Sequence, residues 1–184
     1  KKSSNKKSFW TAKTMAVGAM CMALSSVLSL IKLWPMPMGG SVTPASMLPL
    51  LLFAYCYGVG PGMVLGALYG VMQFLLDGMA WAALGAIPNL LDYPIAFGML
   101  GLAGCFRGSK AKMTAGFVLG CFGRFMASFL SGFIFYGQYA PEGVNPVWYS
   151  LTYNGSYMLV ECIICIALGL LVGERLAKEL KKVA

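Results

Sequence analysis

Residues 132–157 read GFIFYGQYAPEGVNPVWYSLTYNGSY. They hold the aromatic-rich end of one apolar run, a polar hinge, and a second apolar run that opens on aromatics and an asparagine. Apolar runs of this length belong in lipid, where an asparagine, a tyrosine hydroxyl or an acid must find a partner. The stretch therefore predicts two sequential antiparallel spans that supply one wall and the lid of a binding pocket near a membrane surface.

The rest of the chain agrees with a home in lipid. Of its 184 residues, 59% are hydrophobic and 11% charged, and the mean hydropathy is +0.74. Soluble domains carry about 25% charged residues. Apolar runs at 11–33, 45–57, 63–76, 88–106, 113–136 and 147–172 predict an all-α membrane protein, a six-transmembrane-helix bundle forming a single integral membrane domain over residues 1–184. Between them, PMPMGGSVTP (35–44) is a loop, GVGPG (58–62) a tight turn, and Asp77-Gly78 a helix end. The apolar piece 81–87 is too short to span and is expected to be interfacial or re-entrant. Trp10 and Trp34 sit at the two ends of the first run as interfacial anchors.

The net charge of +8 belongs to the flanks of the spans and implies no nucleic-acid partner. Of 14 Lys and Arg, all but Lys32 and Arg124 fall in the N-terminal part (the basic segment 1–8, with Lys13 at the membrane edge), in the loop 107–112 or in the basic tail 173–184. The positive-inside rule puts those regions, and both termini, in the cytoplasm. Lys1 in place of a Met suggests a trimmed start. The basic 1–7 segment resembles a signal-peptide n-region, but the long first run without a small-residue cleavage site is expected to be a span.

Six cysteines lie in or beside apolar runs. With no His in the chain, Cys162 and Cys165 lack the further ligands a zinc site needs, so neither metal nor cofactor is expected. GxxxxGK[ST], GxSxG and HExxH are all missing. An intramembrane enzyme would have to use Asp77 with Asp92, which do not share a helix face. No catalytic residue is assigned, and active transport would need an energy source on another chain.

Three ionisable residues lie inside predicted spans: Asp92, Arg124 and Glu161. Each costs several kcal/mol if unpaired in lipid. Arg124 and Glu161 fall near the middles of antiparallel runs, which predicts an Arg124–Glu161 charge pair, with Arg124–Asp92 as the alternative. Asp92, Asn154, Ser128 and Tyr136 fall at similar depth on three helices. Arg124, Ser128, Gly132 and Tyr136 recur every four residues on one face. Tyr93, Tyr139, Trp148, Tyr149, Tyr153 and Tyr157 crowd the same level. One acid, one amide and many rings suit a flat, nitrogen-containing cation, and Gly132 lets it approach the backbone. On the first run, Ala12, Ala16, Ala19 and Ala23 make a small-residue face that serves either internal packing or docking on a partner subunit.

The blocks MPMGGSV (36–42), LLDYPIAFG (90–98), SGFIFYGQYAPEG (131–143) and YSLTYNGSYM (149–158) resemble the thiamine-specific substrate-binding subunits, or S-components, of energy-coupling-factor transporters. The resemblance runs from the first span to the sixth. It implies a vitamin-uptake subunit that binds thiamine at its extracellular side. Such a subunit works with a transmembrane coupling subunit and two cytoplasmic ATPases, and topples in the membrane to carry its ligand. It further implies that Asp92 and Tyr93 form the acid–tyrosine pair, with Asp92 facing the pyrimidine or the cationic thiazolium, that Tyr136 stacks on the ligand, and that Tyr149 and Asn154 form the Tyr…Asn motif, with Asn154 hydrogen-bonding the aminopyrimidine. It gives the span-five basic position to Arg124 and the coupling-subunit contact to the first-span alanines. Departures are Asp92 for the usual Glu, Ser128 for a frequent His, and Gly40 where some members place a Trp nearby. These open the alternative of a thiamine precursor or another small heterocycle, with Trp34 or Trp81 as the replacement ring. A membrane scaffold without ligand is the alternative of a different class.

Overall fold

The fold comes from a computed structural model that describes residues 10–37, 40–77, 79, 83 and 85–183. The basic segment 1–8, Gly39, Gly78, Trp81 and Ala184 lie outside the described residues. Of the short piece expected over 81–87, residues 86–87 open the next helix, and 81, 82 and 84 lie outside the description.

Eight α-helical segments build the bundle: α1 (Ala12–Leu30), α2 (Leu48–Tyr57), α3 (Val59–Leu76), α4 (Ala86–Leu90), α5 (Ala96–Met99), α6 (Lys110–Phe135), α7 (Pro146–Leu168) and α8 (Glu174–Val183). A π-helical turn, Leu91–Ile95, and a 3-10 turn, Leu100–Cys105, fuse with α4 and α5 into one span, Ala86–Cys105. A second π-turn, Gly169–Gly173, joins α7 to α8. Side-chain caps fix three starts. Thr11 caps α1, Ser109 caps α6, and Asn145 caps α7 with Pro146 at the first helical position.

Among the described residues, five helices are long and apolar enough to cross a membrane: Ala12–Leu30, Val59–Leu76, Ala86–Cys105, Lys110–Phe135 and Pro146–Lys182. The second expected span, 45–57, behaves differently. Its helix α2 has 10 residues, or ~15 Å, half of a ~30 Å hydrocarbon core. All of Leu48 to Cys56 is buried, so α2 is wrapped by protein instead of lipid. Its last carbonyls are satisfied from outside the helix, since Arg107 donates Nε to Tyr55 O (3.0 Å) and Nη2 to Cys56 O.

Two boundaries differ from the sequence expectation. Within 58–62 only Gly58 turns the chain, with φ +103°; Pro61 already sits in the first turn of α3, where its missing N–H costs nothing. The basic tail is no tail, because helix continues through Gly173 to Val183. There Tyr57 Oη donates to Leu180 O at 2.7 Å and ties α8 to the end of α2.

The loop 35–44 contains a minimal hairpin, with β1 (Trp34–Pro35) antiparallel to β2 (Ser41–Val42) in the register Trp34↔Val42. It lies at the same end of the bundle as the C-terminus of α3 and the α6–α7 loop, and this is the pocket end. Helix α3 packs on the Ala86–Cys105 span backbone to backbone. A Cβ on Gly66 would strike the Phe97 carbonyl, and one on Gly70 the Tyr93 carbonyl.

Candidate functional site

The pocket end encloses a cavity lined from α1, the hairpin segment, α3, the Ala86–Cys105 span, α6 and α7. Asp92, Tyr93, Ser128, Gly132, Tyr136, Tyr149 and Asn154 all line it, and so do Arg124 and Glu161.

Asp92 sits in the π-turn, beside Pro94, which has no N–H to donate to the helix. Ser131 Oγ donates to Asp92 Oδ2 at 2.7 Å, and the hydroxyls of Tyr136 and Ser128 act on the same carboxylate. The next residue, Tyr93, is turned toward α3, where its hydroxyl donates to Asp77 Oδ2 at 3.1 Å.

Asn154 ties α7 to α6. Its Nδ2 donates to Ser150 O at 3.1 Å and reaches Ser128 O at 3.4 Å, while Oδ1 accepts from Tyr157 Oη at 3.1 Å. Gly132 makes this close approach possible, because a Cβ there would overlap Ser150 Oγ and press on Asn154 Nδ2. Its use is thus packing as well as exposing backbone to the cavity. Tyr149, Tyr153 and Tyr157 stack up the same helix at 5.9 and 6.1 Å between centroids.

Glu161 forms the floor. It is 1% exposed and accepts hydrogen bonds from Thr43 Oγ1 and, at 2.8 Å, from Ser46 Oγ. Arg124 Nη1 lies 3.7 Å from Glu161 Oε2, and the guanidinium lies 4.1 Å over the Phe97 ring. Arg124 Nε and Nη1 are buried and make no hydrogen bond, so the Glu161 carboxylate and the Phe97 ring are what hold the guanidinium.

Sequence reasoning missed Thr43, Ser46 and Ser131. Ser131 lies one helical turn from Ser128, so spacing alone could have paired them. Thr43 and Ser46 were hidden in a loop, since no local pattern reveals a bond to a residue 118 positions away. Trp34 does not replace a ring in the cavity; it is 62% exposed and outside the lining. Trp81 lies outside the described residues. At Gly40 no side chain fits, because a Cβ would stand 2.6 Å from the Tyr157 ring. Ala12, Ala16, Ala19 and Ala23 are all exposed on the outward face of α1, whereas its buried face is Thr14, Val17, Gly18, Cys21, Ser25 and Ser29. All six cysteines are free.

A helix bundle with membrane-length apolar helices and a polar, ring-lined cavity at one end is a multi-pass membrane protein built to hold a small molecule. The chain belongs to the family described as "Thiamine transporter protein" (Thia_YuaJ), whose profile matches residues 15–180. The thiamine transporter ThiT of Bacillus subtilis is 38% identical over 144 residues, covering 71% of this chain and 73% of that protein. The thiamine transporter ThiT of Lacticaseibacillus paracasei is 32% identical over 134 residues, covering 65% and 67%. The solved structure of ThiT from Listeria monocytogenes superposes with a TM-score of 0.79 over 91% of this chain and 96% of that one, at 20% identity. That likeness concerns the fold. These relatives are bacterial proteins named for transport and not for catalysis.

Proposed function

We propose that this chain is the thiamine-binding S-component of an energy-coupling-factor importer in a bacterial cytoplasmic membrane. The observation that carries it is a membrane-depth carboxylate, Asp92, opening into a cavity lined by tyrosines. Thiamine joins a cationic thiazolium to an aminopyrimidine. The Asp92 carboxylate offsets the cation, and Tyr136 and Tyr149 supply ring faces. Asn154 Oδ1 keeps a second lone pair for the amino group.

The pocket end faces outside and the basic far end faces the cytoplasm. Residues 40–57 count as one crossing, of which α2 is the helical half. The bundle then has six crossings, with the start of α1 and the end of α8 on the cytoplasmic side. The outward alanines of α1 dock the transmembrane coupling subunit, which brings two cytoplasmic ATPases.

Isothermal titration of the purified, detergent-solubilised protein with thiamine tests this. A saturable, sub-micromolar, one-site isotherm is expected. No heat with thiamine, but saturation by its pyrimidine or thiazole half alone, would make the ligand a precursor.

A further inference from the structure

Helix α3 holds Tyr93 at three points spaced along one of its faces. Gly70 abuts the Tyr93 carbonyl. Phe74 meets the ring edge-on, 5.2 Å between centroids. Asp77, which caps α3, accepts from the Tyr93 hydroxyl at 3.1 Å. Positions i, i+4 and i+7 of a helix share a stripe, so backbone, ring and hydroxyl are fixed by one rigid element. On the other side of the same π-turn, α6 fixes Asp92 through Ser131.

We infer that Asp77 is a positioning residue for ligand binding. It holds the Tyr93 hydroxyl and ring in place at the cavity wall, and so sets the pose of the Asp92–Tyr93 unit from the α3 side. This rests on the proposal that thiamine occupies the cavity. A phenol whose proton is committed to a carboxylate presents only its oxygen lone pairs and its ring to a ligand. A phenol freed from Asp77 rotates, and the ligand must then order it on binding.

The test is a double-mutant cycle read as thiamine affinity by titration calorimetry. Asp77→Ala is expected to weaken binding about tenfold, the scale of one hydrogen bond to a charged group. Asp77→Asn keeps a carbonyl acceptor and is expected to stay within about threefold. In a Tyr93→Phe background, Asp77→Ala should add nothing, because its effect runs through the hydroxyl. The ligand-free melting midpoint of each variant, matched to the wild type, separates positioning from folding; should Asp77→Ala fail to fold, Asp77→Asn against Tyr93→Phe decides. Equal losses for Asn and Ala that persist with Tyr93→Phe would overturn the inference in favour of direct charge contact. Wild-type affinity in Asp77→Ala would overturn it too. A wild type that ignores thiamine would overturn both this inference and the thiamine proposal.

Discussion

Glu161 and Asp92 are both carboxylates on apolar helices, yet their surroundings differ. Glu161 at the cavity floor is held by Thr43, Ser46 and Arg124 and is 1% exposed. Asp92 is only half-buried, accepts from Ser131 with the Tyr136 and Ser128 hydroxyls beside it, and opens onto the cavity. A buried acid with its partners in place joins elements together, and removing it strands an arginine. An acid with spare acceptor capacity at a cavity wall awaits a ligand. The two carboxylates therefore differ less in how many groups the protein supplies than in how far each is left open to the cavity.

Glu161→Ala attacks the joint and should have the largest effect. It should cost ~3–5 kcal/mol of stability by leaving Arg124 unpaired in a buried site, read as a lower melting midpoint of ligand-free protein. A normal midpoint with lost binding would erase the distinction between the two acids. Asp92→Asn should weaken thiamine by about tenfold or more, ~1.4 kcal/mol, at an unchanged ligand-free midpoint; unaltered affinity would remove Asp92 from the site. Asn154→Ala should blur the contrast. The residue braces α6 against α7 and faces the ligand, so a loss of ~1 kcal/mol in stability should accompany weaker binding. A change in only one of the two would assign it to one role. Ala16→Leu touches neither acid and should leave affinity within about twofold while uptake by the assembled transporter falls; normal uptake would remove the docking role from α1.

The sequence made the long spans plain, since an apolar run that must satisfy its own backbone in lipid can only be helix or barrel. It also put Asp92, Asn154, Ser128 and Tyr136 at one level, the acid and the amide standing out because such groups are rare at membrane depth. It could not show that α2 is half a span. Residues 45–57 are as apolar as a lipid-facing run, and burial in protein leaves the same signature as burial in lipid. Nor could it show the π-turn at 91–95, although Pro94 within a span was a visible cause. Thr43, Ser46 and Asp77 escaped because hydroxyls and acids in loops look like ordinary solvated residues. Their roles arise only when tertiary packing brings them to Glu161 and Tyr93.

The short helix α2 bears on how far a solute has to travel. On that side of the bundle the described protein between the cavity floor at Thr43 and the far end is little more than ten residues of helix, or ~15 Å. A solute resting on that floor has passed about half of a ~30 Å hydrocarbon layer before any subunit moves. On the proposal that the chain is the substrate-binding subunit of an importer, the protein resembles a lock chamber already cut halfway through the embankment.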